Sequence, residues 1–408
     1  MNGVVDAGNA IPPRAEEVGQ KLAVLRAAMR QAGARAVRLR GSDWFAWATA
    51  GGSNVVLLTA ETGVAEVLVT DDEACILTDD IELERLRNEE VPAGFTFHAA
   101  PWDQVEMRDT YVRSLADDAA VLSDRPQHGE LPLPATLRAR RLVLGAGEQA
   151  RLRQLGREAV EAMSEVLRQA RPEWTEFELA GAGAAALWQR GIEPALVLTA
   201  GAARLPRYRH ATPSHDVLGD RAMMVFCARR HGLYANLTRF VGFGSTPGTA
   251  QHDLLTVEAT GLAAIKPGGS LSAVYHALTQ AYQHADRPDA MREHHQGGIT
   301  GYAAREIVAT ATTATALQEG MAFAFNPSFQ GVKVEDTFLL GPGGLENVTY
   351  DPSWPSVDVQ GRQRPLWLEA AGAGSAGAAS DAGAPGLASD STPGAVPGMP
   401  GVASGVAP

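Results

Sequence analysis

From about residue 146 onward, the chain runs through one order of elements twice: a pair of helical stretches, then β-rich runs. Near Glu148 begins a segment in which Leu152, Leu155, Ala159, Met163, Val166 and Leu167 share one helical face. Thr175, with Glu178 three residues on, starts a second helix that reaches Gln189, and Gly191 stops it. Strands follow at 196–199, 223–227 and 233–243, then helices at 249–265 and 270–284, then strands at 321–326 and 332–340. The order predicts duplicated halves around one curved sheet, in an α/β (α+β) chain.

The first part has a different rhythm. Val18, Leu22, Leu25, Ala28 and Met29 recur at helical spacing over Glu16–Gln31, with Gly33 as the stop and a strand at 36–39. Short apolar runs at 44–47, 55–58, 66–69 and 74–77 read as strands between Gly, Asp and Thr turns. A helix at 80–90 and a strand at 95–97 complete a small mixed sheet, and 103–145 reads as a connection. Residues 1–12 read as a frayed leader. After Leu368 the composition collapses to Ala, Gly, Ser and Pro, which cannot offset its ordering entropy. The expected organisation is therefore an N-terminal domain over 14–145, a second domain over 146–368 and a disordered tail over 369–408.

Charge and composition exclude several functions. A formal net charge of -12 leaves no basic surplus for a phosphate backbone, so nucleic acid is not an expected partner. No apolar stretch approaches the ~20 residues needed to span a bilayer, so no membrane is expected. With no signal-peptide pattern either, the expected location is the cytoplasm. Cys75 and Cys227 sit in apolar runs, where an inert buried thiol is the ordinary reading.

Three patches carry chemistry. In the first domain they are the helix from Lys21 to Gly33, the turn from Trp47 to Gly51-Gly52, and Ile81-Glu82 with Arg85. The second patch is His210-Ala211-Thr212-Pro213, then Met224-Val225-Phe226-Cys227 and Gly232-Leu233-Tyr234-Ala235-Asn236-Leu237-Thr238-Arg239. The third is His294-His295-Gln296-Gly297-Gly298-Ile299-Thr300-Gly301, Arg305-Glu306, Phe325-Asn326-Pro327 and Val334-Glu335-Asp336. Over roughly 14–345 these patches resemble the superfamily of methionine aminopeptidases, Xaa-Pro dipeptidases and creatinases. The resemblance implies a creatinase/prolidase-like N-terminal domain followed by a pita-bread domain with a curved antiparallel sheet and pseudo-twofold halves.

That family holds two metal ions with two aspartates eleven residues apart, a histidine and two glutamates. On this chain those positions are Val225, Asn236, Gly298, Asn326 and Glu335, so only Glu335 keeps a ligand side chain. Closely spaced carboxylates repel one another unless metal charge offsets them, so their coordinated loss points to a remodelled pocket. The expectation is no metal and no cofactor. His294 and His295 look like ligands in isolation, but a zinc site needs at least three protein ligands and no acid pair survives to join them.

Creatinase-like relatives imply metal-free C–N hydrolysis, with His210 as proton carrier and Glu335 as its partner. Imidazole titrates near neutrality and can serve as base and then acid in one turnover. Tyr234, Asn236, Arg239, His294, His295, Gly298, Asn326 and Lys333 are the expected substrate-binding residues. Two amides in place of acids favour a small neutral or anionic substrate, and Lys333 and Arg239 suit its carboxylate if they point inward. Gly297-Gly298 opens room for an oxyanion at backbone N–H groups, or is simply a tight turn. Glu335-Asp336, Arg239 and Lys333 read equally as structural ion-pair partners. A lyase, isomerase or cyclase remains open, as does a peptidase-like binding protein of the kind found among histone chaperones. An active metallopeptidase would require two bound ions. The resemblance also implies a homodimer.

Overall fold

The structure is a computed structural model and describes residues 13–370. The leader and most of the tail lie outside the described residues.

Helix α1, Arg14–Gln31, buries Val18, Leu22, Leu25 and Met29, the face its spacing predicts. It packs against a six-stranded sheet built from β1 (Ala36–Gly41), β2 (Thr62–Val69), β3 (Ala74–Asp79), β4 (Thr96–Ala100), β5 (Val121–Ser123) and β6 (Leu131–Pro132), in the order β4-β3-β2-β1-β5-β6. Within it β1, β2 and β3 pair antiparallel, while β3–β4, β1–β5 and β5–β6 are parallel. Residues 103–145 are thus more than a connection: helix α3 (Glu106–Ala116), the two edge strands and helix α4 (Ala135–Arg141) lie within them.

Two expected strands are absent. Residues 44–47 fall in helix α2, Ser42–Ala48, with all four side chains buried. A four-residue apolar run has no period by which to tell a buried strand from a buried helical turn. Here Trp44 and Trp47 meet edge to face at 5.4 Å, and the cations of Arg141 and Lys21 stand over their rings at 4.4 and 5.3 Å. Val56, Leu57 and Leu58 lie in an exposed loop instead. Asn54 O accepts from Val64 N and its Nδ2 donates to Ala65 O, within the irregular stretch of the β1–β2 pairing, and the run that follows Asn54 lies outside the strands. The helix expected over 80–90 is a short turn at Leu83–Arg85 running into a π-type turn at Leu86–Glu90.

The chain after residue 145 keeps the repeated order. Helices α5 (Ala146–Gln169) and α6 (Glu176–Trp188) precede β7 (Glu193–Gly201), β8 (Arg221–Arg230) and β9 (Leu233–Gly242). Thr175 caps α6 as predicted: Glu178 N donates to its Oγ1 at 3.1 Å and Thr175 N to Glu178 Oε2 at 2.6 Å. The second half has α7 (Thr249–Ala263) and α8 (Leu271–His284), then β10 (Gly297–Thr300), β11 (Ile307–Val308), β12 (Ala322–Phe325), β13 (Asp336–Gly341) and β14 (Gly344–Asn347). Strand β15, Leu368–Glu369, pairs parallel to β9 at Val241 and Gly242. Ordered structure therefore continues past residue 368, where the tail was expected to begin.

The ladders run β15-β9-β8-β7 and β11-β10-β12-β13-β14. They meet at one bridge, where Thr238 N donates to Glu335 O at 3.0 Å. The two halves thus join on the residue that the motifs single out. Among the described residues no helix is long and apolar enough to cross a membrane.

Candidate active site

Alternation along a strand puts Tyr234, Asn236 and Thr238 on one face of β9. The register with β8 sets Cys227 opposite Asn236 and Val225 opposite Thr238. At the junction, the buried Glu335 carboxylate has three partners. Its Oε1 accepts from Arg305 Nη2 at 2.6 Å, and its Oε2 accepts from Thr238 Oγ1 at 2.8 Å and faces Lys333 Nζ at 3.1 Å. Burial alone would raise its pKa, but Lys333 and Arg305 outweigh burial and hold it down at about 2. Glu335 is a fixed anion between two cations and is too acidic to shuttle protons near neutrality. Arg305 is the residue that sequence reasoning passed over. It stands where the family carries a histidine, and its charge is the clue, because an acid that loses its metals needs another cation.

His210 and Glu335 share no hydrogen bond among the described residues. His210 instead meets His294, Nε2 to Nε2 at 2.7 Å, with His295 close by at a ring separation of 5.8 Å. His210 and His295 are exposed, whereas His294 is 9% exposed. One donor atom from each of the three lies within 4.8 Å of the others. The third imidazole that the sequence could not supply is therefore His210.

The segments are held from behind. Glu176, fully buried, accepts from Gly201 N and Ser214 N at 2.8 and 3.0 Å and pairs with Arg204, which pins the loop carrying His210. Arg209 pairs with Glu293, joining the residues just before His210 and His294. Gln296 Nε2 donates to His294 O at 2.7 Å while its Oε1 accepts from Tyr282 Oη, also at 2.7 Å. Tyr282→Phe leaves Gln296 Oε1 and Ser328 N without that hydroxyl. It is expected to cost about 1–3 kcal/mol in urea unfolding.

Burial lowers the pKa of all three histidines, and Lys333 is the next cause for His210 and His294. His294 falls to about 3 and His295, where Arg305 follows burial, to about 4. Both are neutral at neutral pH. Burial pushes the Cys227 thiol up to about 11, which keeps it protonated and matches the expectation of an inert thiol.

Other expected residues are placed differently. Arg239 faces away from the histidines. Its Nη2 donates to Asp336 Oδ1 at 2.8 Å and Thr349 O at 2.9 Å, inside a buried ionic network. At Gly298 no space opens for a side chain, since an added Cβ would lie 2.0 Å from Ile307 O. Its backbone stands between Val308 and Ala324 in the ladder. Gly297, at φ +104°, needs glycine for its conformation as well. Asn236 donates to Thr300 Oγ1 at 3.1 Å, while its Oδ1 and that of Asn326 are buried without a hydrogen-bond partner among the described residues. Tyr234 is half-buried, with the Arg229 guanidinium 6.0 Å from its ring, and no hydrogen bond among the described residues ties it to the histidines. A cavity of about 10 Å³ lies beside His294 and Lys333, room for about one water. A larger one of about 460 Å³ opens where Glu306, next to Arg305, faces Asp43, Arg125 and Arg141.

The residues do not fit a dinuclear centre of the family type. Apart from Glu335, the five positions offer an alkyl group, no side chain and two amides, and both Glu335 oxygens are engaged by cations. Two divalent ions there would face Arg305 and Lys333 at close range.

Residues 150–342 match the family model described as metallopeptidase family M24. No curated protein matches the chain in sequence. Among solved structures it is similar to dipeptidase PepE from Mycobacterium ulcerans, with 21% identity, TM-score 0.69, and 88% of this chain and 99% of that chain covered. It is also similar to the Xaa-Pro dipeptidase from Bacillus anthracis, at 18% identity and TM-score 0.70, covering 86% and 99%. The N-terminal domain of FACT complex subunit SPT16 from Cicer arietinum is similar at 14% identity and TM-score 0.64, covering 82% and 96%. At these identities the likeness shows the fold.

Proposed function

For a chain with the pita-bread fold of the prolidases and an M24 metallopeptidase-family domain over residues 150–342, we propose hydrolysis of a C–N bond in a small, amino-acid-derived substrate without the family's dinuclear centre. The observation that carries the proposal is the exposed His210 imidazole with its Nε2 2.7 Å from that of the buried, neutral His294. His210 takes the proton of a water as the water oxygen adds to the amide carbon. It returns that proton to the nitrogen as the C–N bond breaks. His294 keeps the ring oriented.

Glu335 serves as the anchor for Lys333 and Arg305. The three charges sum to one positive charge beside the histidines, and that charge favours a substrate with a carboxylate. The test is mass-spectrometric screening of dipeptides and N-acyl amino acids with chelator-treated protein. Turnover with addition of one water, abolished in a folded His210→Ala variant, is the expected result. Product without added water would assign a lyase or isomerase instead. Undiminished turnover by His210→Ala would remove the mechanism.

A second reading, a binding protein without turnover, needs an open groove around His210, and the small cavity beside His294, which admits little more than a water, weighs against it. Saturable peptide binding with no turnover of any substrate in the panel is the result that reading predicts.

A further inference from the structure

We propose that His210, His294 and His295 bind a single divalent ion of the zinc class at a site separate from the family's metal positions. Two chain segments converge to make it. The loop after β7 brings His210, and the stretch following the helical turn Ala290–Glu293 brings His294 and His295. The Arg209–Glu293 ion pair ties the segments together one residue before the histidines. Glu176 and Gln296 fix them from behind. A chance pair of surface histidines has no such support.

The donor set decides the class of ion. Three imidazole nitrogens without a carboxylate suit zinc, cobalt or nickel, whereas magnesium and calcium require oxygen ligands. Three protein ligands with one open position is the arrangement of a catalytic-type zinc site. The exposure of His210 and His295 leaves that fourth position facing solvent. His294 is the buried anchor, and its Nδ1 has no hydrogen-bond partner among the described residues.

The geometry requires a small adjustment. Zinc–nitrogen bonds of about 2.0–2.1 Å in a tetrahedron set ligand nitrogens roughly 3.4 Å apart. The 2.7 Å contact between His210 and His294 must therefore open and the 4.8 Å span across the three atoms must close. Both exposed rings can make these changes by side-chain rotation. Lys333 and Arg305 oppose a cation, with one positive charge left over after Glu335, so a second ion is disfavoured and an anionic fourth ligand is favoured. An ion held there occupies the His210 ring that the proposed hydrolysis uses as base, so zinc should inhibit any turnover seen with chelator-treated protein, while the binding measurement itself does not depend on turnover.

Equilibrium dialysis of the full-length, tag-free chain against zinc, with elemental analysis, tests the proposal. The expected result is one ion per chain. His294→Ala should weaken it by more than the 10- to 100-fold typical of losing an outer-sphere partner of a ligand. His210→Ala and His295→Ala, both at exposed positions, should each weaken it by at least about 10-fold, while the exposed control His252→Ala should leave it unchanged. Cobalt should give the intense visible bands of a tetrahedral site in the wild type, a readout that needs no variant. Absence of saturable 1:1 binding, or equal binding by His210→Ala and His295→Ala, would overturn the assignment, as would two ions per chain.

Discussion

Replacing Arg364 with Met is expected to cost about 5 kcal/mol or more, enough to consume most of the stability of a typical domain. Arg364 is fully buried and donates to both oxygens of Glu258 at 2.6 Å, and its Nη2 stands 2.9 Å from Asp336 Oδ2. Asp336 also holds Arg239 and Thr349 Oγ1, at 2.8 and 2.7 Å. The quartet ties the hairpin of residues 356–365 to α7, β9 and β13. Methionine fills the volume and leaves two buried acids around one remaining cation. Burial already raises the pKa of Glu258 even with Arg364 present, and loss of the guanidinium should raise it further. For an acid with a raised native pKa, stability is retained at low pH and lost as pH rises through that value. Urea midpoints of Arg364→Met should therefore lie far below wild type at pH 8 and recover partly at pH 5. Adding Glu258→Gln should recover part of the loss at pH 8, and a midpoint equal to wild type would show that the network contributes nothing.

The second large effect belongs to the site itself. Glu335→Gln should destabilise the protein by about 3–5 kcal/mol, because Arg305 and Lys333 then remain buried without their anion. Their side chains are only 13% and 6% exposed. Lys333→Met combined with Glu335→Gln should cost clearly less than the sum of the two single changes, the mark of a coupled pair. The acid limb has a definite sign. A carboxylate depressed to about 2 adds stability at any pH above its unfolded value of ~4.3, and that contribution fades as pH falls from there towards 2. Acid titration followed by circular dichroism should show wild type losing stability over that window, while Glu335→Gln, already lower, loses less. If the two curves run parallel, Glu335 is not the group responsible.

Both predictions concern residues whose types were legible and whose partners were not. Glu335 was recognisable as the surviving acid of a metal-binding pattern, and His210 by its place before Pro213. The resemblance gave the two residues a shared role, and no contact between them could be read from their spacing. The fold joins Glu335 to Arg305 and Lys333 and joins His210 to His294. Arg239 was read as a possible substrate ligand because it ends the strand motif, yet strand alternation turns it from the face of Asn236 and Thr238 into the Asp336 network. Gly298 was read as open space, and the crossing of Ile307 closes it.

Taken alone, the sequence determined the repeated helix-pair and strand order, the Thr175 cap and the faces that α1 and α5 bury. Each of these depends on residue type and on spacing within a dozen or so positions, which local geometry converts directly into structure. Only the tertiary structure decided which polar side chains meet: Glu335 with residues 97, 30 and 2 positions away, Arg364 with one 106 away, and His210 with one 84 away. Such pairings carry no period. They arise when two ladders meet at Thr238 and Glu335, and the charges brought there must find partners in the space that remains.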